Sequence, residues 1–203
     1  MRGKFITFEG PEGCGKSTQS KLLYQYLKRK GLKAIYLREP GGTQVSEKIR
    51  KILLDPKNHI ASRAEMLLYM AARAQIVDGV IRPALNRGIN VICDRFMDST
   101  LAYQGYGLGI DITFIRSVGF FATGGLNPDL TILLDVPVKQ GLKHRHLKRD
   151  RIEKRSLSYH NRVRRGYLKL ARIEPRRLKV VEFVQGIEKV QQRIREIVTK
   201  YVI

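Results

Sequence analysis

Short apolar runs alternate along the chain with longer stretches in which apolar residues recur every three or four positions. Runs of the first kind predict strands and those of the second predict amphipathic helices. Five strands are expected, at residues 4–9 (KFITFE), 33–38 (KAIYLR), 90–94 (NVICD), 130–136 (LTILLDV) and 179–183 (KVVEF). Their Ile, Val and Leu form near-continuous runs, which predicts strands covered on both faces. Helices are predicted at 17–30, 46–54, 62–85, 99–106, 112–122, 138–147, 156–171 and 187–202. The first repeats apolar residues at Leu22, Leu23, Tyr26 and Leu27 and stops at Gly31. The pattern is that of an α/β fold, a parallel sheet with helices on both sides. Right-handed crossovers would bring the ends of the first strands to one edge, where open α/β sheets bind ligands.

The chain has 203 residues, 43% of them hydrophobic, enough for one domain with a buried core. No internal repeat or Pro-rich linker divides it, so one domain over 1–203 is expected. No apolar run approaches the roughly 18 residues needed to span a bilayer, and MRGKFITFEG lacks the apolar segment of a signal peptide. A cytoplasmic protein without a membrane partner is expected. Cys14 and Cys93 have no metal-site spacing, and reduced thiols are the default for both.

Charge changes the picture more than composition does. The formal net charge is +21, and residues 143–179 hold 15 Lys/Arg against three acids. Such a stripe fits either a nucleic-acid binder or an enzyme for polyanionic substrates. There is no helix-turn-helix, zinc or aromatic RNA-binding motif, and no specific nucleic-acid partner is expected.

Three short motifs carry chemistry, each just past a predicted strand. In FEGPEGCGKST, Gly10, Gly15, Lys16 and Ser17 have the spacing of a phosphate-binding loop between a strand and a helix. Glycines let successive N–H groups turn inward, and the helix start adds its positive end. Lys16 would neutralise phosphate oxygens, and the Ser17 hydroxyl would coordinate Mg²⁺. Cys14 reads as filling a tolerant loop position. Asp94-Arg95-Phe96 offers a carboxylate for Mg²⁺ and a guanidinium for phosphate, with a structural salt bridge as the alternative. Arg38-Glu39-Pro40-Gly41-Gly42-Thr43 makes a constrained turn that either presents Arg38 and Glu39 to a cleft or is merely solvated.

Taken in order, FEGPEGCGKST, REPGGT, LLYMAARAQ, DRFMDSTLAYQGYG, NPDLTILLDVP and DRIE resemble bacterial thymidylate kinases over nearly the whole chain. The resemblance implies a P-loop NTPase fold with a five-stranded parallel sheet and a helical lid, here about 143–160. It implies transfer of a phosphoryl group from ATP, with Mg²⁺, to dTMP, giving dTDP, and a homodimer. ATP would be held by the loop Gly10, Pro11, Glu12, Gly13, Cys14, Gly15, Lys16, Ser17 and Thr18, and by Arg145 or His144 at the adenine. Glu12 would also reach the sugar hydroxyl of dTMP. Tyr69 and Arg73 match the thymine-binding helix, where Tyr69 would stack on the base and Arg73 donate to a carbonyl. Without the family, Tyr69 would read as core and Arg73 as a snorkelling surface residue.

The resemblance assigns Arg95 and Arg38 to the dTMP phosphate, with Arg50 in support. Thr100 and Gln104 fall to the thymine edge and Tyr103 to the 2′ position. Metal contacts fall to Ser17, Asp94 and Glu153. One subgroup of the family carries an arginine inside the phosphate loop; this loop has none. Arg149, Arg151 and Arg155 in the lid are then the candidates, and Arg151 is expected to join Lys16 and Arg95 at the transferring phosphoryl. The family often has an acid where Arg155 stands, so this lid is unusually basic.

Overall fold

The structure is a computed structural model describing residues 2–143 and 150–202. Among them, β1 (Phe5–Glu9), β2 (Ala34–Arg38), β3 (Asn90–Asp94), β4 (Leu130–Asp135) and β5 (Leu178–Glu182) form one parallel sheet in the order β2, β3, β1, β4, β5. All five predicted strands are present, within a residue of their expected ends. Cover on both faces holds for β1 and β3, buried along their whole length, whereas the outer strand β2 is only half-buried. The helices are α1 (Lys16–Arg29), α2 (Gln44–Leu54), α3 (Ser62–Ile76), α4 (Arg82–Asn86), α5 (Met97–Thr100), α6 (Ile112–Thr123), α7 (Val138–Lys143), α8 (Leu157–Ile173) and α9 (Ile187–Val202).

Alternate side chains of each strand serve opposite layers. Ile6, Phe8, Ile92, Ile132 and Leu134 pack against Leu23 and Leu27 of α1 and Ile194 and Val198 of α9. Phe5, Val91 and Cys93 face the other way, onto Ile76 and Ile81. Beside them Leu133 packs with α3, α6 and α8 through Met70, Ile115 and Val163. Each fully buried side chain of this size contributes about 1.5–3 kcal/mol of transfer free energy, which anchors the sheet edge that carries the motifs.

Two predicted helices differ in kind. Residues 62–85 do not run as one α-helix: Val77–Ile81 is a π-helical turn between α3 and α4. Pro83 supplies the reason, since it has no N–H and its ring would clash with the Gly79 carbonyl one turn earlier. The segment predicted at 99–106 starts earlier, at Met97, and becomes π-helical over Leu101–Gly107. The start of α2 is set by Thr43, whose Oγ1 accepts from the Ser46 N–H. Residues 144–149, which include the adenine candidates His144 and Arg145 and the lid Arg149, lie outside the described residues.

Candidate active site

The strand registers align the ends that matter. Asp94 pairs with Phe8 on one side and Arg38 on the other, and Leu133 pairs with Glu9. The three motifs therefore leave the sheet at one edge, along a single cleft of about 750 Å³. Glu12, Gly13, Cys14, Gly15, Lys16, Ser17 and Thr18 line its middle.

In this loop Gly13 and Gly15 have φ of 70° and 89°, conformations that side-chain-bearing residues rarely adopt. At Gly13 a Cβ would also lie 1.9 Å from the Gly141 carbonyl oxygen of α7. Lys16 is buried and donates to the carbonyls of Gly10 (2.9 Å) and Pro11 (2.7 Å). Gly10 and Pro11 thus stand behind the cleft as acceptors for the lysine. Ser17 Oγ donates to Asp94 Oδ2 at 2.5 Å, so two of the three metal candidates meet beside the loop. A hydroxyl beside a carboxylate is a hard oxygen set that fits Mg²⁺. Among the described residues no cluster of three or more acids, histidines or cysteines forms a cage, which suits an ion held mainly by phosphates. Glu153 lines the same cleft and is buried.

Arg95 sits at the centre. Its φ is 74°, unusual for a non-glycine residue. Glu9 stabilises this reversal: buried at the end of β1, its Oε1 accepts from the N–H of Phe96 (2.7 Å) and of Ser99 (3.2 Å). Its Oε2 accepts from the Ser99 hydroxyl (2.6 Å) and the Tyr167 hydroxyl (2.8 Å). Burial, then the nearby Asp98, push the Glu9 carboxyl up to about 7, against opposing contributions from Ser99, Arg95 and Tyr167. The Arg95 guanidinium pairs with Glu12 Oε1 at 2.7 Å and stacks over the Tyr103 ring, while Tyr103 donates to the same Glu12 oxygen. Arg95 also reaches the Gly10 carbonyl at 3.4 Å, the atom that Lys16 holds. The two cations therefore flank one point.

Arg38 and Arg50 line the cleft beside Arg95. Arg38 is half-exposed and pairs with Glu47 at 3.3 Å; Arg50 donates to the Pro40 carbonyl at 3.0 Å. Burial and then the Arg38 charge lower the Arg50 pKa, with a smaller push from Arg95. Three guanidinium groups this close favour an anion between them.

Tyr69, Thr100, Tyr103 and Gln104 also line the cleft. Burial, then Glu65, raise the Tyr69 phenol. Two of the expected site residues are engaged by buried acids and are not among the residues that line the cleft. Arg73 does not face the cleft: 2% exposed, it pairs with Glu39 at 2.8 Å, donates to the Phe96 carbonyl, and reaches Thr100 Oγ1 at 3.0 Å from beneath. The ion pair with buried Glu39 holds it there. Arg151 does not face the phosphate loop either. Its Nε donates to the Leu53 carbonyl at 2.8 Å and its Nη2 lies 2.6 Å from Glu65 Oε2, so it braces the base of the lid against α2 and α3.

A family model described as thymidylate kinase matches residues 8–194. The chain belongs to the thymidylate kinase family. A relative of that name from Thermoanaerobacter sp. (strain X514) is 46% identical over 202 residues, covering 99% of this chain and all of the relative. One from Symbiobacterium thermophilum is 50% identical over 196 residues, covering 96% and 92%. The crystal structure of thymidylate kinase from Ehrlichia chaffeensis superposes with a TM-score of 0.82 at 32% identity, over 98% of this chain and all of that one. Membership of the family agrees with the P-loop architecture and with a cleft lined by the phosphate loop.

Sequence reading missed several residues that shape this cleft. Phe183, Val184, Gln185 and Gly186, between β5 and α9, wall the end away from Tyr69. Their signal was positional, since they follow a strand at the same edge as the other motifs. Glu9 and Glu65 are entirely buried acids. A lone carboxylate closing an apolar strand and another one turn before Tyr69 were the available signals.

Proposed function

We propose that this member of the family carries out ATP-dependent phosphorylation of dTMP to dTDP with the two substrates meeting between Lys16 and Arg95. The observation that carries the reading is the one cleft whose lining brings Lys16 of the phosphate loop together with Arg95, Arg38 and Arg50 on the acceptor side. The loop N–H groups and Lys16 hold the donor phosphates, and the 183–187 turn encloses the donor base. Arg38, Arg50 and Arg95 hold an acceptor that already carries a phosphate, which favours a nucleoside monophosphate over a nucleoside. Glu12 positions Arg95 and faces the acceptor sugar, where Tyr103 crowds the 2′ position. Phosphoryl transfer needs in-line placement and neutralised oxygens more than covalent chemistry, and this arrangement supplies both. Ser17 and Asp94, with Glu153 in the same cleft, would hold Mg²⁺, which would supply charge neutralisation.

A lid over 143–160 closes this single domain over the donor, and a lid arginine completes the cation set. Arg151 serves either as its anchor on Glu65 or, on leaving Glu65, as that cation. ATP as the donor implies a cytoplasmic enzyme, and no helix among the described residues is long and apolar enough to cross a membrane.

Turnover of dTMP against dUMP, dCMP, dGMP, AMP and thymidine tests the assignment. A strong dTMP preference is expected, and equal use of thymidine or of AMP would overturn it.

A homodimer is supported by an apolar patch on α6 and α3. Phe114 and Phe121, seven residues apart on one side of α6, are 52% and 88% exposed, and Leu67 of α3 is 51% exposed. A second copy covering this patch predicts a dimer in light scattering that Phe121→Asp dissociates. A monomeric wild type at tens of micromolar, on the order of usual assay loads, would refute it.

A further inference from the structure

We infer that Glu65 determines which base edge the acceptor end accepts, by fixing the amide of Gln104. The inference rests on the acceptor reading above. Glu65 lies on α3 with no exposed surface. Its Oε1 accepts from Gln104 Nε2 at 2.8 Å. Its Oε2 forms ion pairs at 2.6 Å with Arg151 and with Arg155, and Arg155 is held in turn by the Tyr159 hydroxyl at 2.8 Å. Every partner of this carboxylate is a donor, so both of its oxygens only accept.

A glutamine amide has a donor end and an acceptor end and can be turned by its neighbours. Here the donor end is committed to Glu65, and Gln104 lines the cleft. One of the two N–H groups is thereby used and the nitrogen is held on the Glu65 side, which turns the carbonyl end of the amide away from Glu65. A carbonyl facing the base selects a ring N–H. Thymine and uracil present one at N3; cytosine presents a bare acceptor nitrogen at the same position, so acceptor would meet acceptor. Glu65 thus acts as a specificity-determining residue without touching the base. Two lid arginines on its other oxygen keep it in place, so the part of the lid at 150–155 is braced by the group that orients the base reader.

Glu65→Gln tests this. The introduced amide can donate as well as accept, which frees Gln104 to turn and present its N–H₂ to cytosine. The kcat/KM ratio of dTMP to dCMP is expected to fall at least about 10-fold, with the KM for ATP within about 2-fold of wild type. Glu65→Gln combined with Arg155→Gln removes one charge of each sign and is the companion variant should the single change leave the arginines too poorly paired to fold. Arg155→Lys, which loosens the lid and leaves the Glu65 contact with Gln104, is expected to lower kcat and keep the ratio. An unchanged ratio in both Glu65 variants, with wild type preferring dTMP, overturns the inference alone. A wild type that uses dCMP as well as dTMP overturns the acceptor reading and this inference with it.

Discussion

Replacing Glu12 by Gln removes a negative charge from the phosphate loop while preserving its shape. Glu12 Oε1 receives two hydrogen bonds, from Arg95 at 2.7 Å and from the Tyr103 hydroxyl at 2.7 Å, in a setting where Glu12 is only 7% exposed. The Tyr103 contact changes from a charged hydrogen bond, worth about 1.5–3 kcal/mol, to a neutral one worth about 0.5–1.5, and the Arg95 contact from an ion pair to a hydrogen bond with one charged member, so each weakens by about 1–1.5 kcal/mol. Together they amount to about 2–3 kcal/mol, or about 30- to 150-fold in kcat/KM for dTMP. The loss should fall on the acceptor, because Lys16 and the loop N–H groups remain. Steady-state turnover with dTMP varied at saturating ATP measures the first quantity. Direct titration of ATP without acceptor measures the second and should move less than about 2-fold. A loss of less than about 3-fold for dTMP, or equal losses for both substrates, would refute the reasoning. A thermal melt on the same variant separates this from unfolding.

Three further outcomes follow from the geometry. The Glu9 carboxyl titrates near 7 in the fold against 4.5 when exposed, so the folded state holds an extra proton between those values and stability falls as pH rises through that window. Glu9→Gln should shrink the difference in urea-unfolding free energy between pH 4.5 and 8 by on the order of 3 kcal/mol, and identical pH profiles would rule the effect out. Ser17→Ala removes the hydroxyl beside Asp94 that is proposed to hold the metal, and should raise the half-saturating Mg²⁺ concentration by about 10-fold with little change in the KM for dTMP. An unaltered Mg²⁺ dependence would exclude Ser17 from the metal. Gly13→Ala puts a Cβ 1.9 Å from the Gly141 carbonyl at a φ of 70° and should cost about 1–3 kcal/mol, seen as a melting temperature lowered by several degrees. Wild-type melting would mean that the loop does not press on α7.

Much of the architecture was legible because it is encoded locally. The five strands follow from continuous apolar runs, the phosphate loop from glycines at fixed offsets, and Thr100, Tyr103 and Gln104 share a cleft wall because neighbours on one helical turn must. The π-helical turns were not legible, since Pro83 predicts a disturbance but not its form.

By itself the sequence determined the family, the sheet edge at which chemistry gathers, and the absence of an arginine from the loop. Partner choice was decided only in three dimensions. Arg73 reads from its spacing as a snorkelling surface residue, yet it is buried and paired with Glu39, 34 residues away. Arg151 looks like a free lid cation but lies against Glu65, and Glu9 reaches Tyr167 across 158 residues. A buried charge takes whichever opposite charge or donor the packing brings within about 3 Å, because leaving it unpaired costs several kcal/mol. That competition is settled by the tertiary contacts, and no local spacing reports it.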